Sequence, residues 1–267
     1  MTAIPDPAKL SPDVPGTAVI AKTMRLLQAV ADAKGPAKLG DLCRLTGFPR
    51  PTVHRLLAVL AAEGMIVADN ASGAFTLGPR LISLAFLAWD GSDLRRIAQP
   101  FLVALRDSTD ETVHLAVPSG AEMVYIDKLE SRHVVRMASR IGTRVSLHSS
   151  SVGKAFLASL PVAALEKLLQ GPQPLAYTPH TKTAWPDIGA EISATRSRGY
   201  ALDLQENELD ICCFGAAITG ADGKAAGCIS VSMPRYRFEA GQDHTILEAL
   251  KDCVARIALA LAAMPPG

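Results

Sequence analysis

Residues 147–160, LHSSSVGKAFLASL, place three serines and a Gly-Lys pair directly before an apolar, helix-favouring run. Three chemistries compete for such a stretch: a phosphate cradle, a serine nucleophile, and a helix start that receives some other anion. A nucleotide loop of the form G-x-x-x-x-G-K-[ST] needs glycines to wrap the phosphates and a hydroxyl for magnesium. Here His148 stands where the first glycine belongs, and Ala155 follows Lys154. A serine hydrolase wants G-x-S-x-G at a strand-to-helix turn, and the triple serine offers no such elbow. Cys213 with His148 as its base could form a thiol–imidazole pair, which would make the chain a cysteine-dependent hydrolase; the competing reading of Cys213 is an inert thiol in a strand. The six histidines (54, 114, 133, 148, 180 and 244) show no metal-ligand spacing, and no cofactor is expected. What survives is a helix beginning near Ser150, whose unpaired backbone N–H groups and partial positive charge suit a carboxylate. Plain N-capping by Ser149 or Ser150 explains the same residues without a ligand.

The elements that must position these groups fall into two sets. In the first, AVIAKTMRLLQAVADAK reads as a helix burying Val19, Ile20, Met24, Leu27, Val30 and Ala31, and KLGDLCRLT as a short helix burying Leu39, Leu42 and Leu45. PTVHRLLAVLAAEG is a third helix, with Pro51 suited to its first turn and Val53, Leu56, Leu57 and Leu60 as the buried stripe. That leaves Arg50, Thr52, His54 and Arg55 facing outward, where they can reach phosphates and base edges in a major groove. After Gly64 the period changes to two in MIVA and AFTL, a hairpin around DNASG. Three helices and a hairpin make a winged helix-turn-helix, its wing around Asn70 to Gly73. The apolar helix LGPRLISLAFLAWDG then needs a partner, which points to dimerisation.

In the second set, TVHLAVPSGAEMVYIDKLES reads as a β-hairpin, HVVRMASRIG as a third strand, CCFGAAITGADGKAAGCISVSM as another hairpin, and DHTILEALKDCVARIALALAAM as a closing helix. Antiparallel strands interleaved with helices give an α+β domain. Alternation puts Ser230 and Ser232 on one face of their strand. The expected domains are a disordered leader at 1–16, the winged helix-turn-helix at 17–78, a linker helix at 79–92 and the sheet domain at 93–267.

A chain of 267 residues with 49% hydrophobic and 20% charged residues is long enough and balanced enough to fold around its own cores. There is no run of 18 apolar residues, which argues against a membrane span, and the proline-bearing N-terminus lacks a signal-peptide core. A cytoplasmic setting with five reduced cysteines is the resulting expectation. The net charge of +1 hides an asymmetry: residues 17–80 hold 8 Lys+Arg against 4 Asp+Glu, whereas residues 81–267 hold 18 against 20. The basic excess therefore lies in the helical set, where a polyanion would be met.

FPRPTVHRLLAVLAAEGMIVAD and GAFTLGPRLISLA resemble the DNA-binding half of the IclR-type transcriptional regulators. DETVHLAV, VYIDKLES, VRMASRIGTRVSLHSSSVGKAFLASLP, RSRGYALDLQENELDICCFGAAI and ISVSMP resemble their effector domain, in the family's order. The resemblance implies a winged helix-turn-helix joined by a helix to a GAF-like effector-binding domain, acting as a homodimer or tetramer on a double-stranded DNA operator. It further implies a repressor of a catabolic operon, with a small carboxylate effector: a sugar acid, keto-acid or aromatic acid. Carried over by motif, the effector would meet Ser151 and Val152 at the helix start, Asp203, Ile211, Cys213, Ser230 and Ser232. The chain departs from the family's habit at Asp210, where glycine is frequent, at Ala217, where proline is, at Ser151, where smaller residues are common, and at Pro51. The alternatives are the Cys213 hydrolase and a ligand-sensing module acting on protein partners.

Overall fold

The computed structural model describes residues 18–33, 35–135, 137–169, 171, 173–220, 223–238 and 243–264; the expected leader at 1–16 lies outside them. The chain forms two compact units divided between Gly91 and Ser92.

The first unit contains α1 (Ala18–Asp32), β1 (Ala37–Lys38), α2 (Leu39–Thr46), α3 (Arg50–Ala62), β2 (Ile66–Asp69), β3 (Ala74–Leu77) and α4 (Pro79–Asp90). The stripe Val53, Leu56, Leu57 and Leu60 of α3 is buried as its spacing requires, against Leu26, Ala29 and Val30 of α1 and Leu42 of α2. α1 therefore faces the core differently from the sequence expectation. Val19, Ile20 and Met24 are exposed, and Val30 is what the expected and observed faces share as buried positions. The helix carries two apolar stripes at helical spacing, and packing against α3 chose the one through Leu26. Leu45 of α2 is likewise exposed. α2 ends at Gly47, whose φ of 69° and N–H bond of 2.9 Å to the Cys43 carbonyl turn the chain into α3. The wing is β2 and β3, to which β1 adds a third strand by pairing antiparallel with β3.

The second unit contains α5 (Asp93–Thr109), β4 (Thr112–Ser119), β5 (Glu122–Leu129), β6 (Arg144–Ser146), α6 (Ser151–Ser159), α7 (Val162–Leu169), α8 (Trp185–Arg198), β7 (Ala201–Leu204), β8 (Ile211–Thr219), β9 (Ala225–Pro234) and α9 (Asp243–Ala262). Its six strands form one antiparallel sheet in the order β6-β5-β4-β9-β8-β7. Strand alternation sorts the side chains by face. Val113, Leu115, Phe214, Ala216, Ile229, Val231 and Met233 pack with Ala98, Leu102 and Leu105 of α5 and Leu250 and Ile257 of α9. The opposite face carries His114, Asp203, Cys213, Gly215, Ser230 and Ser232, and α6 packs on it. Two features depart from the sequence expectation. β7 is an additional strand, and the described residues of HVVRMASRIG form no strand. The edge of β5 pairs instead with β6, at Glu122↔Ser146 and Val124↔Arg144. Residues 137–139 are held by the Lys128 ammonium, which donates to the Met137 and Ser139 carbonyls at 2.9 and 2.7 Å.

Candidate functional site

Two neighbouring rungs of the large sheet build the floor of a cavity. Asp203 pairs with Cys213, Cys213 with Ser232, and Ser232 with Thr112, so residues far apart in the chain lie side by side. On the next rung, Ala201, Gly215, Ser230 and His114 follow one another. The cavity measures about 260 Å³, and its walls include Ser151, Asp203, Ile211, Cys213 and Ser232 among the residues expected to bind an effector. Val152 and Ser230 do not line it. The Val152 side chain is buried among Met123, Tyr125 and Val145. Ser230 lies under His114, whose Nδ1 is 3.1 Å from the Ser230 hydroxyl and 3.4 Å from that of Ser232.

The walls also contain groups that periodicity alone did not single out: His114, Tyr125, Met137, Ser139, Arg144, Asn207 and Glu208. Alternation along TVHLAV could have placed His114 opposite the core-facing Val113 and Leu115, but its position over Ser230 depends on register. His114 stacks on Tyr125 with ring centroids 4.3 Å apart, and its Nε2 is 2.7 Å from the Ser139 hydroxyl. Burial, with the Lys128 charge adding to it, pushes the imidazole down to about 3, so the ring is neutral and supplies hydrogen bonds rather than charge. Arg144, the cation among the lining residues, is ion-paired to Glu122 at 2.8 Å. A second, more apolar depression of about 530 Å³ adjoins the first, sharing Met137 and Ile211 and reaching Val135 and Tyr236.

The helix start is set close to this floor by two glycines. Ser150 caps α6, its hydroxyl accepting from the Gly153 N–H at 3.1 Å and donating to the Ser146 carbonyl at 2.6 Å. A Cβ on Gly153 would run into the Ser146 carbonyl and lie 2.5 Å from the Leu147 Cα; one on Gly215 would lie 2.5 Å from the Ser151 carbonyl oxygen. The serines thus serve the backbone: Ser149 bonds Ser146 and Asn207, while the Ser151 and Val152 amides have no carbonyl four residues back inside the helix.

Behind the floor lies a buried charge cluster. Lys154, 1% exposed, donates to the Leu202 carbonyl at 2.7 Å and pairs with Glu206 at 2.5 Å. Glu206 also pairs with Lys182 at 3.1 Å. Asp203 Oδ1 accepts from the backbone N–H groups of Glu206 and Asn207 at 2.8 and 3.3 Å, which fixes the 205–208 segment at the cavity wall. The Asp210 φ of 62° is in the left-handed region, where glycine is most at ease and aspartate is tolerated.

Burial raises the Asp203 carboxyl to about 7, against the opposing pull of Lys154 and the two amides. Its pKa is raised on folding, so the folded state holds a proton that the unfolded chain releases. Stability from this group is present at low pH and is lost as pH rises from about 4 to about 7. Asp203→Asn, which keeps the acceptor oxygen, should therefore gain on the parent across that window, at a slope approaching about 1.4 kcal/mol per pH unit. Urea unfolding midpoints measured between about pH 4.5 and 8 check this, with parallel curves as the contrary result.

The thiol–imidazole pair is not formed. His148 Nδ1 lies 3.1 Å from the Ser146 hydroxyl and its Nε2 3.0 Å from the Leu175 carbonyl, so both ring nitrogens are engaged elsewhere. Burial holds the Cys213 thiol well above its ordinary value, and Ser232 is its hydrogen-bond neighbour. A thiolate nucleophile is thereby disfavoured.

In the first unit, α3 holds Arg50, His54 and Arg55 exposed and Thr52 half-buried on the side away from its apolar stripe. Among the described residues, none of these four side chains has a polar protein partner. The wing turn is closed on itself, with Asp69 accepting from the Ala71 N–H at 3.0 Å and from the Ser72 hydroxyl. No helix among the described residues is long and apolar enough to cross a membrane.

Known proteins match the chain in the same two parts. The family profile described as "IclR helix-turn-helix domain" matches residues 19–70, and that described as "Bacterial transcriptional regulator IclR C-terminal" matches residues 86–259. The chain is 28% identical over 242 residues to the HTH-type transcriptional regulator XynR of Escherichia coli (strain K12), covering 91% of this chain and 96% of that one. It is 30% identical over 220 residues to the transcriptional repressor IclR of the same strain, covering 82% and 80%. The crystal structure of the Thermotoga maritima IclR aligns with a TM-score of 0.70 at 28% identity, over 91% of this chain and 98% of that one. An IclR homolog from Microbacterium hydrocarbonoxydans, complexed with 4-hydroxybenzoate, shares the fold with a TM-score of 0.75 at 23% identity, over 92% and 100%. These relatives are regulators, not enzymes. The chain belongs to the IclR family: it is a DNA-binding transcriptional regulator with a C-terminal effector-binding domain.

Proposed function

We propose that the chain is a cytoplasmic repressor of a catabolic operon that reads an inverted-repeat operator as a homodimer or as a tetramer of two dimers, and that a small carboxylate in the 260 Å³ cavity resets its DNA binding. The observation that carries the effector reading is the convergence of Asp203, Cys213, Ser232 and the α6 start on one polar space. The carboxylate sits at the Ser151 and Val152 amides, where the helix start offers unpaired donors. Asp203 and Ser232 meet its other polar groups, Ile211 forms an apolar wall, and Cys213 and Ser230 complete and support the floor. A ligand acts only through its different affinity for DNA-competent and incompetent arrangements.

Dimerisation is supported by apolar surface that the first unit does not bury: Ile82, Phe86 and Leu87 of α4 are 73%, 58% and 70% exposed. DNA reading falls to Arg50, Thr52, His54 and Arg55 on α3, with the wing against the backbone or minor groove. Arg55→Ala should weaken specific operator affinity by about 1–3 kcal/mol while leaving thermal stability unchanged. Mobility shifts on the upstream intergenic region, with and without candidate acids, test the whole reading. A specific shift altered by an acid supports it; no specific shift, with or without acids, overturns it and leaves the ligand-sensing module acting on protein partners.

A further inference from the structure

Three polar atoms in the effector cavity have no protein partner among the described residues although their side chains are more than nine-tenths buried. The Ser151 hydroxyl belongs to a residue 2% exposed, the Tyr125 hydroxyl to one 8% exposed, and the second carboxyl oxygen of Asp203 to one 3% exposed. Asp203 spends its other oxygen on the Glu206 and Asn207 amides. Neighbouring groups that might have satisfied these atoms are committed: His114 to Ser230 and Ser139, Lys154 to Leu202 and Glu206, Arg144 to Glu122. These three residues line the cavity, so it is there, and not in the sealed interior, that a ligand's own hydrogen-bonding groups would meet them.

The kind of ligand is set by what these atoms offer. Ser151 sits at the α6 start, beside the amides that suit a carboxylate. Tyr125 and Asp203 come from the sheet and line the same cavity. A phenol and a carboxyl together pair with a hydroxyl, which both donates and accepts. A plain alkanoate would dehydrate both groups and return nothing. The volume of about 260 Å³ lies below that of cavities taking drug-sized molecules, which fits a short chain.

We propose that the cavity selects a short, straight-chain hydroxylated carboxylic acid, and that the Tyr125 hydroxyl and the free oxygen of Asp203 are the groups that read its hydroxyl. This rests on the effector reading above and narrows it. Tyr125 is then a specificity-determining residue supported from behind by the His114 ring stacked on it.

Titration calorimetry on the full chain with matched acids tests this. Straight-chain hydroxy acids of three to six carbons (lactate, threonate, xylonate, gluconate) are compared with the alkanoates of equal length and with benzoate and 4-hydroxybenzoate. At least one hydroxy acid should bind about tenfold or more tighter than its alkanoate. Tyr125→Phe should collapse that ratio towards one, weakening the hydroxy acid and binding the alkanoate at least as tightly as the parent does, since the hydroxyl that the alkanoate would dehydrate is gone. Equal binding of hydroxylated and plain acids, or a ratio unaffected by Tyr125→Phe, overturns the inference but leaves the effector reading standing. So does tightest binding by benzoate, which would place the ligand across Met137 and Ile211 into the apolar depression. No heat from any acid at millimolar concentration overturns both.

Discussion

Gly215→Ala should destabilise the second unit by about 3 kcal/mol and abolish acid binding, the clearest single-residue effect expected in the molecule. The added methyl would meet not a flexible side chain but the Ser151 backbone, 2.5 Å from its carbonyl oxygen and 2.6 Å from its carbonyl carbon. Relief requires α6 to lift from β8. That helix is held on its other side by Gly153, whose own Cβ would strike Ser146 and Leu147 backbone. Lifting α6 draws the Ser151 amide away from Asp203 and Cys213, so stability and binding fall together. Urea unfolding and calorimetry with a bound acid measure the two losses; an alanine variant with the parent's midpoint and affinity would show that α6 is not pinned by this contact.

Lys154→Met should cost about 3 kcal/mol, the low end of the range for removing one member of a buried ion pair. Methionine keeps the length and apolar volume of the lysine stem, so the loss comes from charge. Glu206, 3% exposed, keeps Lys182 at 3.1 Å but loses its closer partner, and its second oxygen has no hydrogen-bond partner among the described residues. The double variant Lys154→Met with Glu206→Met removes both charges and should recover most of the loss. Denaturation of the two single variants and the double variant supplies the cycle. Additive losses would show that the two residues stabilise the fold independently, against the coupling that a 2.5 Å buried pair demands.

Gly153 and Lys154 show how sequence and structure divide the problem. Both belong to LHSSSVGKAFLASL, of which neither the nucleotide-loop nor the nucleophile reading survives. Gly153 is required by backbone proximity, and Lys154 points into a charge cluster behind the cavity rather than at a ligand. What the sequence determined by itself was local and periodic. The α3 stripe at Val53, Leu56, Leu57 and Leu60, the turn into α3, the wing hairpin, and the common face of Ser230 and Ser232 all come from spacings of 3.6 or 2 within one element. The family's motifs added Asp203, Ile211 and Cys213, which no periodicity selects.

Tertiary structure decided whatever depended on a choice between faces or between strands. α1 has two apolar stripes of equal period, and only the presence of α3 determined that Leu26 and Ala29, not Val19 and Ile20, are buried. HVVRMASRIG has strand-like composition, but β6 occupies the edge it would need. The cavity floor exists because register sets Asp203, Cys213 and Ser232 on one rung, and a shift of one residue would turn each of them to the face covered by α5 and α9. His114 and Tyr125 reach the cavity through that same register. Local periodicity carries no information about which distant strand lies alongside, and that pairing assembled the site.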